Sequence, residues 1–363
     1  MNHSTLNECI REVGYPVLCH EHVGGSDPLK KLWRIARERG IRGVSDWGSF
    51  VNEATRHRGA SESLDSYLRI FHLIEAIQSG RRAIRGAIKR VSEYLLADFP
   101  LDKSNGLNGV RKMELRLNPF KRTGLLTGTE TLYDADTVMA AIAKAVSEVE
   151  LDSQGSLKIG IILCFARDFS RELNEKLSDK IIRWQEEYHC ICGIDLAGPE
   201  SSENFGVDES REHFARCYNL AGNGKLGRTV HLGETDFTTP EIFIKMIEAL
   251  NPDRVAHPIT AIKCFWHCDN RACLETLKNR EIVVELCPNS NFLTNRLENW
   301  HEFALVLEAL DEFGIGYLFG TDNPALEGIT WSGIVSEGIQ AGAISEEQLK
   351  KAITVSQRAT FVH

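Results

Sequence analysis

A short apolar run rich in β-branched residues, followed by a helical pattern, recurs eight times along the chain. The runs fall at 16–22, 111–119, 157–164, 190–197, 228–232, 254–257, 282–287 and 315–321, and helical stretches such as 134–151, 240–250 and 300–313 separate them. Strands that alternate with helices pair in parallel, because a parallel pair needs a crossover long enough to hold a helix. Eight such units predict a closed (β/α)8 TIM barrel, an α/β fold, over 1–363 as a single domain. One gap breaks the rhythm: roughly ninety residues separate the first two runs, far more than a crossover needs. The segment is helical by pattern over 27–39, 63–79 and 81–99, with 101–108 as the loop back into the second strand. No Pro/Gly/Ser-rich linker flanks it, so it reads as a helical insertion over the barrel mouth, about 27–100, rather than a separate domain.

Composition narrows the functional classes. With 42% hydrophobic and 26% charged residues, the chain has enough apolar material for a large core, which excludes disorder. Its net charge of −9 disfavours a nucleic-acid polymer as partner. No apolar run approaches the length of a membrane span, and residues 1–15 hold no apolar signal region, so the expected compartment is the cytoplasm. The oligomeric state is left open. Ten cysteines are too dilute for a disulfide scaffold. Cys164, Cys190 and Cys192 sit in strand-like runs as small hydrophobes. Cys264, His267, Cys268 and Cys273 cluster in sequence but lack paired Cys-x-x-Cys halves, so buried thiols are expected there rather than structural zinc.

In a barrel of this kind the site forms at the C-terminal ends of the strands. The first run ends in Cys19-His20-Glu21-His22, and alternate strand residues share a face, so His20 and His22 point the same way. The fifth run leads into His231 and Glu234, the sixth ends at His257, and the eighth leads into Asp322 and Asn323. Of twelve histidines, four thus lie at one type of strand end. Three His and one Asp form a mixed N/O set suited to Zn2+ or a similar transition metal. Glu234, three residues after His231, is placed as a proton donor.

At these positions the chain resembles the adenosine deaminase family of metal-dependent amidohydrolases. His20-Glu21-His22-Val23-Gly24-Gly25 is similar to that family's His-x-His-Leu-x-Gly opening, and Met113 to Pro119 to its second strand. Ile194-Asp195-Leu196-Ala197-Gly198, His231-Leu232-Gly233-Glu234, Arg254-Val255-Ala256-His257, Glu285-Leu286-Cys287-Pro288 with Ser290, and Thr321-Asp322-Asn323-Pro324 resemble five further strand ends in order. Ser63 to Leu68 resembles a helix of the family's cap. The resemblance implies one Zn2+ per chain on His20, His22, His231 and Asp322, with an activated water replacing the amino group of a purine. It implies Glu234 as proton donor to the ring, His257 as orienter or base for the water, and the Gly198 N–H as a contact to another ring nitrogen. The Pro-Cys-x-x-Cys of the cytidine-type zinc deaminases is absent, and so is the bridging Lys of two-metal amidohydrolases, because the fourth run ends in Leu196-Ala197-Gly198.

Three substrate-binding positions depart from the family pattern: Gly24 and Asn323 stand where Asp is usual, and Asn118 where Ser is usual. A complete metal and catalytic set beside an altered positioning set implies a deaminase of an adenine-type nucleoside, nucleotide or base other than plain adenosine. The alternatives are an amidohydrolase acting on a pterin or an N6-substituted adenine, and, from another class, a nucleotide-binding effector with weak turnover. Lys121 and Arg122, just past the second run, are either a solvated loop pair or an anion site for a substrate phosphate.

Overall fold

Strands covered on both faces read as continuous apolar runs, and β-branched residues suit their pleated surface. The stretch KIGIILCFA forms a strand over Lys158–Ala166 in which every residue after Lys158 is buried. In the computed structural model, which describes residues 2–41, 46–55, 63–99, 109–124 and 133–363, it is the third of eight. They are β1 (Leu18–His22), β2 (Lys112–Leu117), β3 (Lys158–Ala166), β4 (Ile191–Ala197), β5 (Gly227–His231), β6 (Arg254–Ala256), β7 (Val283–Leu286) and β8 (Tyr317–Phe319). The sheet runs β1 to β8 in chain order with parallel neighbours. The last seam is short. Glu21 bridges Asp322, the His22 N–H donates to the Asp322 carbonyl at 2.9 Å, and the Asp322 N–H donates to the His20 carbonyl at 3.0 Å.

Helices surround the barrel, and several begin at side-chain caps that satisfy free N–H groups. Asp134 accepts from Thr137 N–H at the start of Ala135–Asp152, Thr239 from Ile242 N–H at the start of Pro240–Leu250, and Asn299 from His301 and Glu302 N–H at the start of Trp300–Glu312. A helix over Asn2–Val13 was not evident in the sequence, although Leu6, Cys9 and Ile10, at helical spacing, enter the main core. No helix among the described residues is long and apolar enough to cross a membrane.

The long β1–β2 segment divides in two. Helices Leu29–Glu38, Trp47–Ala54 and Ile70–Gln78 share a small core of Leu32, Phe50, Ile74 and Ile77, joined by Leu326 from beyond β8. The helix Arg81–Ala97 instead places Ile84, Ile88 and Val91 in the main core, so it is the β1–β2 crossover, and the inserted part is narrower than expected. The helix expected over 63–79 is interrupted at Arg69 into Leu64–Leu68 and Ile70–Gln78. The loop expected at 101–108 lies outside the described residues.

Inside the barrel, alternate strand positions carry charge. On β2, Met113, Leu115 and Leu117 join the apolar core, while Glu114 and Arg116 between them enter a buried ionic lattice. Arg254 lies 2.5 Å from Glu114 and 2.7 Å from Glu285, and Arg116 lies 2.9 Å from Glu285 and 3.3 Å from Asp195. Below, the Phe361 ring stacks 3.7 Å from the Arg254 guanidinium, and the Phe361 backbone N–H donates to Glu114 at 2.6 Å. Gly227 makes room for that ring, since a Cβ there would sit 2.1 Å from it.

Breaking a buried pair strands its partner's charge, at about 3–5 kcal/mol. Arg254→Met, which leaves Glu114 and Glu285 uncompensated, is therefore expected to lower unfolding free energy by about 3–5 kcal/mol in denaturant titration. A loss below about 0.5 kcal/mol, the range of neutral surface changes, would show that the lattice does not stabilise the barrel.

Candidate active site

β1 presents His20 and His22 on one face, β5 ends at His231, and Asp322 follows β8. One donor atom from each of the four lies within 4.8 Å of all the others. His22 Nε2 is 3.2 Å from His231 Nε2 and 3.3 Å from Asp322 Oδ1, and His20 Nε2 is 3.7 Å from that same oxygen. A tetrahedral zinc with Zn–N near 2.0–2.1 Å needs ligand separations of about 3.3–3.4 Å. The distal nitrogens explain why the rings point inward. His20 Nδ1 lies 2.5 Å from Glu285 Oε2, and His231 Nδ1 lies 3.0 Å from Asp195 Oδ2. A carboxylate at Nδ1 holds the proton there and turns the Nε2 lone pair to the centre. His20 Nε2 is buried with no hydrogen-bond partner. Lone pairs converging this closely beside a carboxylate repel one another unless a cation sits between them, so the residues present fit a divalent metal.

The surrounding backbone is held under constraint. His257 (φ 52°) and Asp322 (φ 60°) occupy the left-handed region, which costs a non-glycine residue of the order of 1–3 kcal/mol. The His257 Nδ1 lies 3.2 Å from the Asn291 amide, and its Nε2 faces Asp322 Oδ2 at 3.8 Å. Burial pushes His257 down to about 3, so the ring is neutral at physiological pH. Glu234 is pushed up to about 8, chiefly by burial and secondarily by the charges of Asp322 and Glu200 against the lowering influence of His231 and Arg167. It therefore carries a proton at neutral pH. Its loop is clamped by Glu200, whose carboxylate accepts from the N–H groups of Gly233 (2.8 Å), Glu234 (3.3 Å) and Thr235 (2.8 Å) and from the Thr235 hydroxyl (2.6 Å). Arg167, buried at the end of β3, donates to the carbonyls of Gly198 (2.9 Å) and His231. Gly198 itself has φ 95°, and a Cβ there would press on the Arg167 backbone at 3.3 Å.

A cavity of about 350 Å3 opens onto these groups and includes His22, Glu234, Asp322, Gly198, Gly24, Asn118 and Asn323 in its wall. His257 is fully buried behind it. Two of the expected substrate contacts have structural partners. Asn118 donates to the Cys164 carbonyl (2.8 Å) and accepts from Phe120 N–H (2.8 Å) and Lys121 N–H (3.2 Å), so both ends of its amide are engaged. Asn323 donates through Nδ2 to the Tyr67 hydroxyl at 2.8 Å, while its buried Oδ1 has no partner. That oxygen packs over Gly25, where a Cβ would lie 1.9 Å from it. Tyr67 in turn donates to Glu327 (2.7 Å), which also accepts from Asn289 (2.8 Å).

The solvated-pair reading of Lys121 and Arg122 fails for Arg122, which is 3% exposed and lies in the cavity wall. The buried-thiol reading of the cysteine cluster holds for Cys273 but not for Cys268, which is exposed, nor fully for Cys264, which is half-buried. Sequence reasoning assigned no role to Asp195, Glu285, Arg167, Glu200 or Tyr67. The available signal was charge inside apolar runs, as in Ile282 to Leu286, where Glu285 is the one charged residue.

The sequence profile of the adenosine deaminase family matches residues 16–363. An adenosine deaminase of Shewanella denitrificans is 26% identical over 318 residues, covering 85% of this chain and 83% of its own. The chain spans only 40% of the length of another, longer relative. The Arabidopsis N6-mAMP deaminase superposes with a TM-score of 0.75 at 20% identity, over 98% of this chain and 96% of its own. A zinc-bound amidohydrolase of Burkholderia ambifaria superposes with a TM-score of 0.77 at 17% identity, over 99% and 89% respectively. At these identities the superpositions establish the fold.

Burial pushes Glu327 from 4.5 up to about 8, with the Asp322 charge acting in the same direction. The folded chain therefore holds that proton more tightly than the unfolded one. The resulting stability is fully present below pH 4.5 and is lost as pH rises through 8. Metal-free protein should accordingly lose melting temperature between pH 5 and 8, and Glu327→Gln should flatten that slope. An identical slope in the variant would contradict a raised pKa at Glu327.

Proposed function

The chain belongs to the adenosine deaminase family, hydrolases that act on carbon–nitrogen bonds of cyclic amidines and release the amino group of adenine-type substrates as ammonia; we propose that it does so with one Zn2+ per chain, held by His20, His22, His231 and Asp322. The observation that carries this reading is the convergence of those four donor atoms within 4.8 Å beside a buried, protonated Glu234. Zinc at such ligands supplies the Lewis acidity that brings the pKa of a water toward ~7.

The chain's own groups do the rest. Glu234 gives its proton to the ring nitrogen adjoining the amino-bearing carbon, which makes that carbon electrophilic. Its raised pKa suits the task, because a fully ionised carboxylate has no proton to give. His257, neutral and held by Asn291, orients the attacking water, takes its proton and returns it to the departing amino group, which leaves as ammonia. The Gly198 N–H meets a second ring nitrogen; the backbone N–H of Arg167 holds that peptide through the Ala197 carbonyl at 3.0 Å, and its side chain holds the following one through the Gly198 carbonyl. The arrangement resists exchange with bulk solvent, since Glu234 and His257 are both buried, and electrostatic contacts strengthen where water is excluded.

Substrate choice follows from the altered wall. Gly24 offers no side chain to a sugar hydroxyl, and Asn323 presents a neutral amide tied to Tyr67 rather than a titratable carboxyl. We therefore assign a substrate related to adenosine but substituted on the ring, on N6 or at the 5′ position. The likeness to an N6-mAMP deaminase supports this reading without specifying the substituent.

Purified protein should contain about one equivalent of zinc or a substitute metal, and Asp322→Ala should lose both metal and ammonia release. Full activity in a chelated, metal-free preparation would overturn the metal assignment. Glu234→Gln should keep the metal and lose about 10²- to 10⁴-fold in rate. Near-normal turnover in that variant would require another proton donor.

A further inference from the structure

Arg122 is a large cation of the cavity wall whose burial is incompletely compensated among the described residues. It is 3% exposed, yet its Nε and Nη1 have no hydrogen-bond partner. Its nearest carboxylate, Glu75, lies 3.4 Å from Nη1 outside hydrogen-bond geometry, and burial shifts the guanidinium pKa downward against that pairing. Lys121 stands beside it, 3.2 Å from Asp168 and 3.9 Å from Glu75. The two cations and two carboxylates are neutral together, but Asp168 is a third exposed and screened, while Arg122 retains unused N–H donors.

The loop that carries these cations is built, not adaptable. The Asn118 side chain caps it by accepting from Phe120 and Lys121 N–H, and the Gly80 N–H donates to the Arg122 carbonyl at 3.0 Å. The remaining space comes from Gly24, two residues beyond His22. A Cβ there would meet Arg122 Nη2 at 3.4 Å and the Phe71 ring at 3.1 Å. A glycine thus leaves a hollow against a buried guanidinium in the wall of the same cavity that reaches Glu234 and Asp322.

Resting on the deaminase reading, we propose that Arg122, Lys121 and the hollow at Gly24 form a subsite for a phosphate monoester carried by the adenine-type substrate. A guanidinium fork pairs with two phosphate oxygens at once, and the ammonium of Lys121 adds a point charge. A neutral hydroxyl in the same place would accept a hydrogen bond but would not offset the buried positive charge.

The test compares AMP with adenosine, and N6-methyl-AMP with N6-methyladenosine, by ultraviolet detection of the product, inosine monophosphate or inosine. The wild-type zinc enzyme should prefer the phosphorylated member of whichever pair it turns over by at least about tenfold in kcat/KM. Arg122→Gln should lower kcat/KM for the phosphorylated member by about 10- to 100-fold, the range for losing a charged hydrogen bond. Its nucleoside rate and zinc content should change little. Inorganic phosphate should inhibit the wild type competitively and the variant weakly, which separates an anion site from recognition of the whole nucleotide. Should Arg122→Gln not fold, Gly24→Asp keeps the guanidinium but fills the hollow with a carboxylate, and it should reverse the preference. Equal turnover of both members of a pair, unaffected by either substitution, would overturn the subsite and leave the deaminase reading standing. Failure of all four compounds would overturn both.

Discussion

Everything above the barrel floor depends on Glu285. Its carboxylate meets His20, Arg116, Arg254 and the Thr229 hydroxyl, all buried. An isolated charge in that position would be too costly to bury, but paired on every side it becomes a rigid junction. From there the lattice runs downward through Arg254 and Glu114 to the Phe361 backbone, and sideways through Arg116 to Asp195. Glu285 and Asp195 are also the groups that orient His20 and His231. The same ionic contacts therefore fill the barrel and aim the candidate metal ligands. A barrel core of aliphatic layers would pack as densely but would leave the imidazole rings free to choose either nitrogen.

A second level of control lies in loops fastened to the strand ends. Glu200 gathers three consecutive N–H groups around Glu234, a concentration of donors that anchors the loop without touching the acid's own side chain. Arg167 binds the carbonyls of Gly198 and His231 together across neighbouring strands. The left-handed backbone at His257 and Asp322 is tolerated because both residues sit in the closing seam or against it: the His257 N–H donates to the Glu285 carbonyl and the Asp322 N–H to that of His20. Strain persists where the surroundings over-determine the geometry.

The inserted helices have a comparable role at the rim. Leu326 from beyond β8 enters their small core, and Tyr67 reaches from them to Asn323 and Glu327. The cap is thereby coupled to the residue next to the candidate ligand Asp322. Phe71 from the same helices closes over Gly24, so the cap shapes the part of the cavity beside that glycine.

The eight strands were legible in the sequence, because a strand buried on both faces must be apolar and the run lengths and their spacing leave few alternatives. His20, His22, His231, Glu234, His257 and Asp322 could be picked out for the same reason: polar groups at the ends of such runs stand out, and their order resembles one family. Other features required the folded chain. The charges of Glu114, Arg116, Asp195, Arg254 and Glu285 look like interruptions until alternate strand positions turn them into one enclosed space. Arg122 beside Lys121 reads either as a solvated residue or as an anion site, and only the packing of Glu75, Gly80 and Gly24 around it, contributed from two stretches distant in sequence, makes it a buried cation. Strand positions follow from local pattern, a property of neighbours in sequence. The partner of each buried charge depends on barrel closure, which brings together residues hundreds of positions apart, and no local pattern contains that pairing.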